Sequence, residues 1–302
     1  MRVMQFADYG PPEVLQIAER PTPAPGPGEA LIRVAAIGVN PADYKWRSGV
    51  IRHVMALSLP WVVGYDVAGE VAQVGAGVSA LRPGDRVAVQ LGPRMGAYAE
   101  AVVADAASCA KLPDALDFER AAAIPTPGLT GVQLIEEHVR PAPGETVLIT
   151  GAVGAVGRFA VFAALAAKAR VVAAVRASQI ETALAIGAER AIALESPAPA
   201  ELAVDHLADA LGGPAVGPLC RLVRPGGRII SVVGPINGQD RATPAELVRV
   251  RSDGESLRAL AEAVANGAVS IPIAGRLPLA SAAEAHRRLE AGHVGGKLIL
   301  SP

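Results

Sequence analysis

The chain has little cysteine. Its two cysteines, Cys109 and Cys220, stand far apart in neither metal nor redox spacing. That excludes a disulfide framework and makes a reducing, cytoplasmic compartment the expectation. Long apolar runs are missing too. The longest, Phe159 to Ala167, falls well short of the roughly 20 residues that a membrane-spanning helix needs. Met1-Arg2-Val3-Met4-Gln5 leads into a strand-like start with no apolar signal core. Neither sign of charge is in excess: 28 Lys and Arg face 29 Asp and Glu, for a net charge of −1, with the bases scattered. No basic stripe is present for nucleic acid or an anionic membrane surface. The five histidines, His53, His138, His206, His286 and His293, neither cluster nor have an acid at readable spacing, so most are expected at the surface. What remains is a chain 51% hydrophobic and 19% charged, with positive mean hydropathy, long enough at 302 residues for two domains. Its many Ala and Arg residues fit the codon usage of a GC-rich bacterial genome.

The strongest positive signal is the run Val147-Leu148-Ile149-Thr150-Gly151-Ala152-Val153-Gly154-Ala155-Val156-Gly157. A strand feeds directly into glycines at spacing three and then into an Ala-rich helix expected from about Ala155 to Lys168. In a dinucleotide cradle the first Gly permits the tight bend, the second lets a pyrophosphate approach backbone N–H groups, and the third lets helix and strand pack closely. The helix start at Ala155 and Val156 then presents its positive end to the phosphates. Ala169 to Ala174 follows as a strand and completes a βαβ unit. At its end an NAD-selective site carries an acid for the ribose 2′-hydroxyl. This chain has Arg176, then Ser178 and Gln179. A carboxylate there repels a 2′-phosphate, whereas a guanidinium pairs with one, so the expected cofactor is NADP(H).

Up to about residue 112 the signals are short strands broken by Pro and Gly: Ala30 to Ala36, Gly69 to Val74, Arg86 to Gln90 and Ala99 to Val103. This pattern predicts a β-rich, barrel-like domain. From Phe118 helices alternate with apolar strands: a helix near Leu129 to Glu137, then Val147 to Thr150, Val171 to Ala174, Ala191 to Leu194 and Arg228 to Val233. Such alternation predicts a doubly wound parallel sheet. Leu257, Leu260, Ala261 and Val264 share one face of a helix over Ser256 to Asn266. Two short strands, a helix over Ala282 to Ala291 and a strand at Lys297 to Leu300 are expected to close the chain. The expected domains are 1–117 with 267–302, β-rich, and 118–266, dinucleotide-binding.

The order of motifs resembles the zinc-free quinone oxidoreductase branch of the medium-chain dehydrogenase/reductase superfamily. The resemblance rests on the segment Gly38-Val39-Asn40-Pro41-Ala42-Asp43-Tyr44-Lys45-Trp46-Arg47-Ser48-Gly49, on Gly64-Tyr65-Asp66-Val67-Ala68-Gly69-Glu70-Val71, on Val74-Gly75 leading to Arg82-Pro83-Gly84-Asp85-Arg86-Val87, and on Gly96-Ala97-Tyr98-Ala99-Glu100. It continues through Gly128-Leu129-Thr130, the Gly-rich turn, Arg224-Pro225-Gly226-Gly227-Arg228, and Ala285 to Glu290 with Gly295-Gly296-Lys297-Leu298. It implies a GroES-like β-barrel catalytic domain, a Rossmann domain, and a homodimer joined edge to edge through the strand at about Arg228 to Val233 or a successor near Ile271. A short-chain dehydrogenase is excluded, because none of Tyr9, Tyr44, Tyr65 and Tyr98 has Lys four residues later.

Zinc-dependent relatives carry Cys where this chain has Asn40 and His where it has Tyr65, and four close cysteines in a lobe for which residues 91–101 supply none. No metal is therefore expected. Reduction of an activated C=C or a quinone, which needs positioning and a hydrogen-bond donor, is favoured over alcohol oxidation. By the resemblance Asn40 orients the acceptor oxygen beside the nicotinamide, or it caps the loop before Pro41. Tyr44 donates to a substrate carbonyl or is a wall residue, and Tyr65 lines the site. Thr130 stands near the nicotinamide or caps its helix. Lys297 lies at the cofactor end or at the surface. Val233 and Gly234 complete the candidate cofactor contacts. Gln179 and Leu194 depart from the Lys and Tyr usual in the family. The substrate loops at Arg47 to Trp61 and Ile236 to Ser252 carry no chemical signature. The expected function is NADPH-dependent reduction of quinones or α,β-unsaturated carbonyls; the alternative is a catalytically silent NADP(H)-binding sensor or structural protein.

Overall fold

The computed structural model describes residues 1–199, 201–236, 246–292 and 294–302; His293 and residues 237–245 of the expected substrate loop lie outside them. The chain divides into two compact units, one of Met1–Thr126, Ser252–Gly267 and Ile271–Pro302, the other of Pro127–Arg251 with Ala268–Ser270.

The first unit opens with short strands at Arg2–Phe6 (β1), Gln16–Glu19 (β2), Glu29–Gly38 (β3), Trp61–Val62 (β4), Asp66–Val74 (β5), Arg86–Gln90 (β6), Ala101–Asp105 (β7) and Cys109–Lys111 (β8), and helices at Pro41–Arg47 (α1) and Phe118–Ala122 (α2). A helix over Pro125–Gln133 (α3) begins in the first unit and continues in the second as a π-helical turn over Leu134–Val139; the second unit then holds Thr146–Thr150 (β9), Ala155–Ala166 (α4), Arg170–Val175 (β10), Ile180–Ala185 (α5), Arg190–Ala193 (β11), His206–Asp209 (β12), Ile229–Ser231 (β13) and Glu246–Leu247 (β14). The chain then returns to the first unit through Gly254–Ala265 (α6), Ile273–Pro278 (β15), Ala282–Ala291 (α7) and Lys297–Ser301 (β16). Among the described residues no helix is long and apolar enough to cross a membrane.

The main sheet of the first unit runs β15-β16-β3-β5-β6-β8, with β7 also paired to β3. Phe6, Ile32, Ile37, Val67, Val87, Leu298 and Leu300 fill its core. Register does more than bury apolar surface here. Gly38 of β3 faces Asp66 of β5 on one side and Ile299 of β16 on the other, which gathers three strand ends at one place. The sheet of the second unit is wholly parallel in the order β11-β10-β9-β12-β13-β14. Numbered by appearance this is 3-2-1-4-5-6, the doubly wound order whose ligand crevice lies beyond the carboxyl end of the first strand. That strand, Thr146-Val147-Leu148-Ile149-Thr150, is buried from its second residue on, which is why it reads as an unbroken apolar run.

Three expectations are corrected. The helix assigned to the dinucleotide-binding domain, α6, belongs to the first unit: Gly254 lies against the carbonyls of Ala107 and Cys109, and Arg120 donates to the Val264 carbonyl at 2.9 Å. One strand, β15, replaces the two expected after Asn266. Neither strand named for dimer pairing is a free edge of the parallel sheet. The strand β13 lies between β12 and β14, and β15 belongs to the other sheet; the apolar character of 228–233 reflects an interior position.

The turn after β9 shows why glycine is needed. Gly151 has φ +62°, a conformation open to glycine at no steric cost, and a Cβ at Gly157 would stand 2.1 Å from the Gly151 carbonyl oxygen and 2.6 Å from Ala152 Cα. Because those atoms are backbone, they cannot swing aside. Gly157→Ala should destabilise the second unit by about 1–3 kcal/mol, read as a lower melting temperature, whereas Gly154→Ala, whose Cβ would meet only the Gly151 oxygen at 3.1 Å, should melt close to wild type. Equal melting of the two variants would show that the close approach of α4 to this turn is not what fixes it.

Candidate functional site

Gly154 begins α4 with no side-chain cap, and the space over its Cα is open apart from the Gly151 oxygen. Its φ is −71°, so it is there to keep that face bare, not to supply a left-handed turn. Gly151, Gly154 and Gly157 thus divide the roles expected of them: bend, open backbone and close packing. Arg158, one turn into α4, donates from Nε to the Val153 carbonyl at 3.0 Å and steadies the turn.

Asp209, at the carboxyl end of β12, is fully buried and joins the neighbouring strand ends. Its Oδ1 accepts the Thr150 hydroxyl at 2.6 Å and the N–H groups of Leu211 and Gly212 at 3.0 and 2.9 Å, and its Oδ2 accepts the Ser231 hydroxyl at 2.7 Å. Ser231 Oγ in turn accepts the N–H groups of Val233 and Gly234 at 3.2 and 3.4 Å. One carboxylate therefore shapes three loops at the carboxyl edge of the sheet. Val233 and Gly234 have their N–H groups spent inside that network. At the end of β10, Arg176 is half-buried; its Nε has one acceptor among the described residues, Gln179 Oε1 at 3.5 Å, and Ser178 is exposed. Thr130 is buried in α3.

In the first unit the gathered strand ends hold a buried polar cluster. Lys297 donates from Nζ to the Val39 carbonyl at 2.9 Å and to Asn40 Oδ1 at 2.7 Å, and lies 3.5 Å from Asp66 Oδ2. Asn40 Nδ2 donates to Asp66 Oδ2 at 2.8 Å and to the Gly38 carbonyl at 3.3 Å. Asp66 Oδ1 accepts the N–H and hydroxyl of Thr126 at 2.9 and 2.5 Å. Lys297 is thus a buried ion-pair partner, not a surface residue. The side-chain amide of Asn40 is consumed on both sides, so it is not a free donor toward substrate; Asn40 stands at the N-cap of α1, where Asp43 Oδ2 accepts its backbone N–H at 2.8 Å. Tyr98 connects this end to α7: its hydroxyl lies 3.1 Å from Asp43 Oδ2 and 3.0 Å from His286 Nε2. Asp43 Oδ1 and His286 Nδ1, the outer atoms of that chain, are buried without partners among the described residues.

Burial governs the electrostatics. It pushes the Asp43 carboxyl up to about 7, with the Asn40 N–H opposing and the Asp66 charge adding, and pushes Asp66 up against the pull of Lys297. It lowers Lys297, which the two carboxylates oppose, and brings His286 down to about 3, so the imidazole is neutral near pH 7. Tyr65, half-buried, accepts the Trp46 indole N–H at 2.6 Å. Burial, first, pushes its hydroxyl up to about 12, so it keeps its proton, and that proton has no acceptor among the described residues. Tyr44 is half-buried, with no side-chain hydrogen bond among the described residues.

Asp43, Asp66, Tyr98, His286 and Asp209 were not singled out from sequence. His286 was expected at the surface, yet Ala282, Ala285, His286 and Leu289 form one helical face, and that period carries the signal for its burial. Two other histidines also have acids that spacing could not show: His138 with Glu246 at 2.8 Å and His206 with Glu145 at 3.0 Å. Among the described residues no group of three or more His, Cys, Asp and Glu side chains is placed to hold a metal ion.

Residues 26–114 match the model of the alcohol dehydrogenase GroES-like domain, and residues 186–300 match that of a zinc-binding dehydrogenase domain. A quinone oxidoreductase of Pseudomonas aeruginosa is 33% identical, with 99% of both chains covered. The structure of the quinone oxidoreductase from Coxiella burnetii superposes with a TM-score of 0.90 at 30% identity over 100% of this chain and 99% of that one. That of the Escherichia coli quinone oxidoreductase complexed with NADPH gives 0.86 at 28% identity over the whole of both chains.

Asp43 yields a test of the buried cluster. Its folded-state pKa of about 7 lies above the ordinary 3.8, so the folded protein takes up the proton first; its contribution to stability is full below about pH 4 and is lost as pH rises toward 7. Asp43→Asn lacks that loss. The melting temperature of the variant should therefore gain on the wild type between about pH 4 and pH 7, and a difference that stays constant over this range would contradict the burial of an unneutralised carboxyl.

Proposed function

The chain belongs to the quinone oxidoreductase branch of the medium-chain dehydrogenase/reductase superfamily, and we propose that it is an NADPH-dependent, zinc-independent reductase of quinones or α,β-unsaturated carbonyls. The observation that carries this reading is the cradle of the second unit, with Gly154 bare, Gly157 packed and Arg176 in place of an acid at the strand end. Gly151, Gly154 and the start of α4 would hold the pyrophosphate, Arg176 with Ser178 and Gln179 the adenosine 2′-phosphate, and Thr130 the nicotinamide end. The bound dinucleotide supplies a hydride, and the protein supplies position and a polarising donor.

Tyr65 is the group best suited to donate. Trp46 fixes its oxygen, its pKa keeps it neutral, and its proton has no acceptor among the described residues, which is what a developing enolate or quinol oxygen requires. Tyr44 or a water then protonates the product. Asn40 and Lys297 act as positioning residues that fix the strand ends around Asp66. Asn40 and Tyr65, where a zinc site needs Cys and His, support a reaction without metal. We place the protein in the cytoplasm as a homodimer whose pairing strand is β14, the edge of the parallel sheet beside β13 among the described residues.

NADPH oxidation with a panel of 1,4-quinones and enones, in the presence of a chelator, tests the reading. Turnover is expected, and Tyr65→Phe should lower kcat about tenfold to a hundredfold, the worth of one hydrogen bond to a charged oxygen, with NADPH affinity unchanged. NADPH binding with no turnover on any acceptor would favour the silent NADP(H)-binding alternative, and activity lost with the metal on chelation would overturn the mechanism.

A further inference from the structure

The N–H of Ala177, immediately after Arg176, donates to a carboxylate oxygen of Glu195 at 3.0 Å. Strand register brings the two together. In the parallel pair β10 and β11, Val175 lies opposite Ala193, and the Leu194 N–H donates to the Val175 carbonyl at 2.8 Å, so residue 195 emerges beside residue 177. Ala177 and Ser178 are exposed, and the Arg176 guanidinium makes no ion pair among the described residues. An acid, a guanidinium and a backbone donor thus share the strand ends beyond the Gly-rich turn.

We infer that Glu195 is a specificity-determining residue that competes with the 2′-phosphate of NADPH for the donors beside Arg176 and so holds down the preference for NADPH over NADH. The inference rests on the proposed reading that Arg176 receives that phosphate. An anion is drawn to the same donors whether it is a carboxylate or a phosphate, and the two repel when both are present. A 2′-phosphate must therefore displace Glu195 from Ala177. An unphosphorylated ribose makes no such demand, because its 2′-hydroxyl can donate to the carboxylate where it stands. The acid that an NAD-selective site carries on its second strand is absent at Arg176, and here one arrives from the third strand.

Calorimetric titration of the full chain separates the outcomes. The ligands are NADPH, NADH and two probes that differ at the 2′ position, adenosine 2′,5′-bisphosphate and adenosine 5′-monophosphate. Glu195→Gln should tighten NADPH and the bisphosphate by about three- to tenfold, the scale of an exposed charge facing a dianion, and more at low salt than at high. NADH and the monophosphate should stay the same or weaken. Arg176→Ala should move NADPH in the opposite direction. If Arg176→Ala weakens NADPH while Glu195→Gln leaves the NADPH to NADH ratio unchanged, or weakens both cofactors equally, Glu195 is a loop cap and the inference falls alone. If Arg176→Ala leaves NADPH binding unaltered, the reading beneath it falls as well.

Discussion

The ammonium of Lys297 is taken out of water where β16, β3 and β5 converge, and its neighbours follow from that. A buried cation needs a counter-charge and enough acceptors for its protons. Asp66 supplies the charge, and Val39 and Asn40 supply carbonyl oxygens within 2.9 Å. Asp66 then needs donors for its other oxygen and finds both at Thr126. The side-chain amide of Asn40 is held between cation and anion, and its backbone N–H goes to Asp43, which connects through Tyr98 to His286 on α7. Each bond makes the next necessary. Removing Lys297 or Asp66 leaves the other's buried charge unpaired, which is the expensive event in such a cluster.

The second unit rests on a different constraint, the approach of α4 to the end of β9. Gly157 permits it sterically, and the Asp209 carboxylate stabilises the adjoining loops by accepting four hydrogen bonds from three segments. Both devices act at the carboxyl edge of the parallel sheet, where loops are shaped by the strands they leave. Side-chain chemistry and backbone access are thereby separated. The turn leaves the face over Gly154 open, while the charged side chains of Arg176 and Glu195 stand at the ends of β10 and β11.

Local signals were legible in the sequence and distant ones were not. Gly151, Gly154, Gly157 and Arg176 lie within one βαβ unit, so their spacing alone carries the geometry. The doubly wound sheet and the β-rich unit were legible from apolar runs and Pro-Gly punctuation. By contrast, Lys297 meets Asn40 across 257 residues, and nothing in Gly295-Gly296-Lys297 indicates burial. Asn40 and Asp66 read as motif members because their partners are set by sheet register. The placement of α6 was misread because an amphipathic period tells that a face is buried, not against which unit. Glu195 is hidden for a related reason: spacing along the chain points to one strand end, while parallel pairing brings a second beside it.

What we propose is an NADPH-dependent reduction in which the neutral Tyr65 polarises the substrate oxygen and no metal takes part. The most direct measurement is a single-turnover reaction of the NADPH-loaded protein with a cyclic enone, using NADPH that carries deuterium at the transferred C4 position. The account predicts one deuterium at the β-carbon of the saturated product for each NADPH oxidised, with slower transfer than for the protiated cofactor. NADPH oxidised with no label in the product, or NADPH bound and never oxidised by enone or quinone, would contradict it.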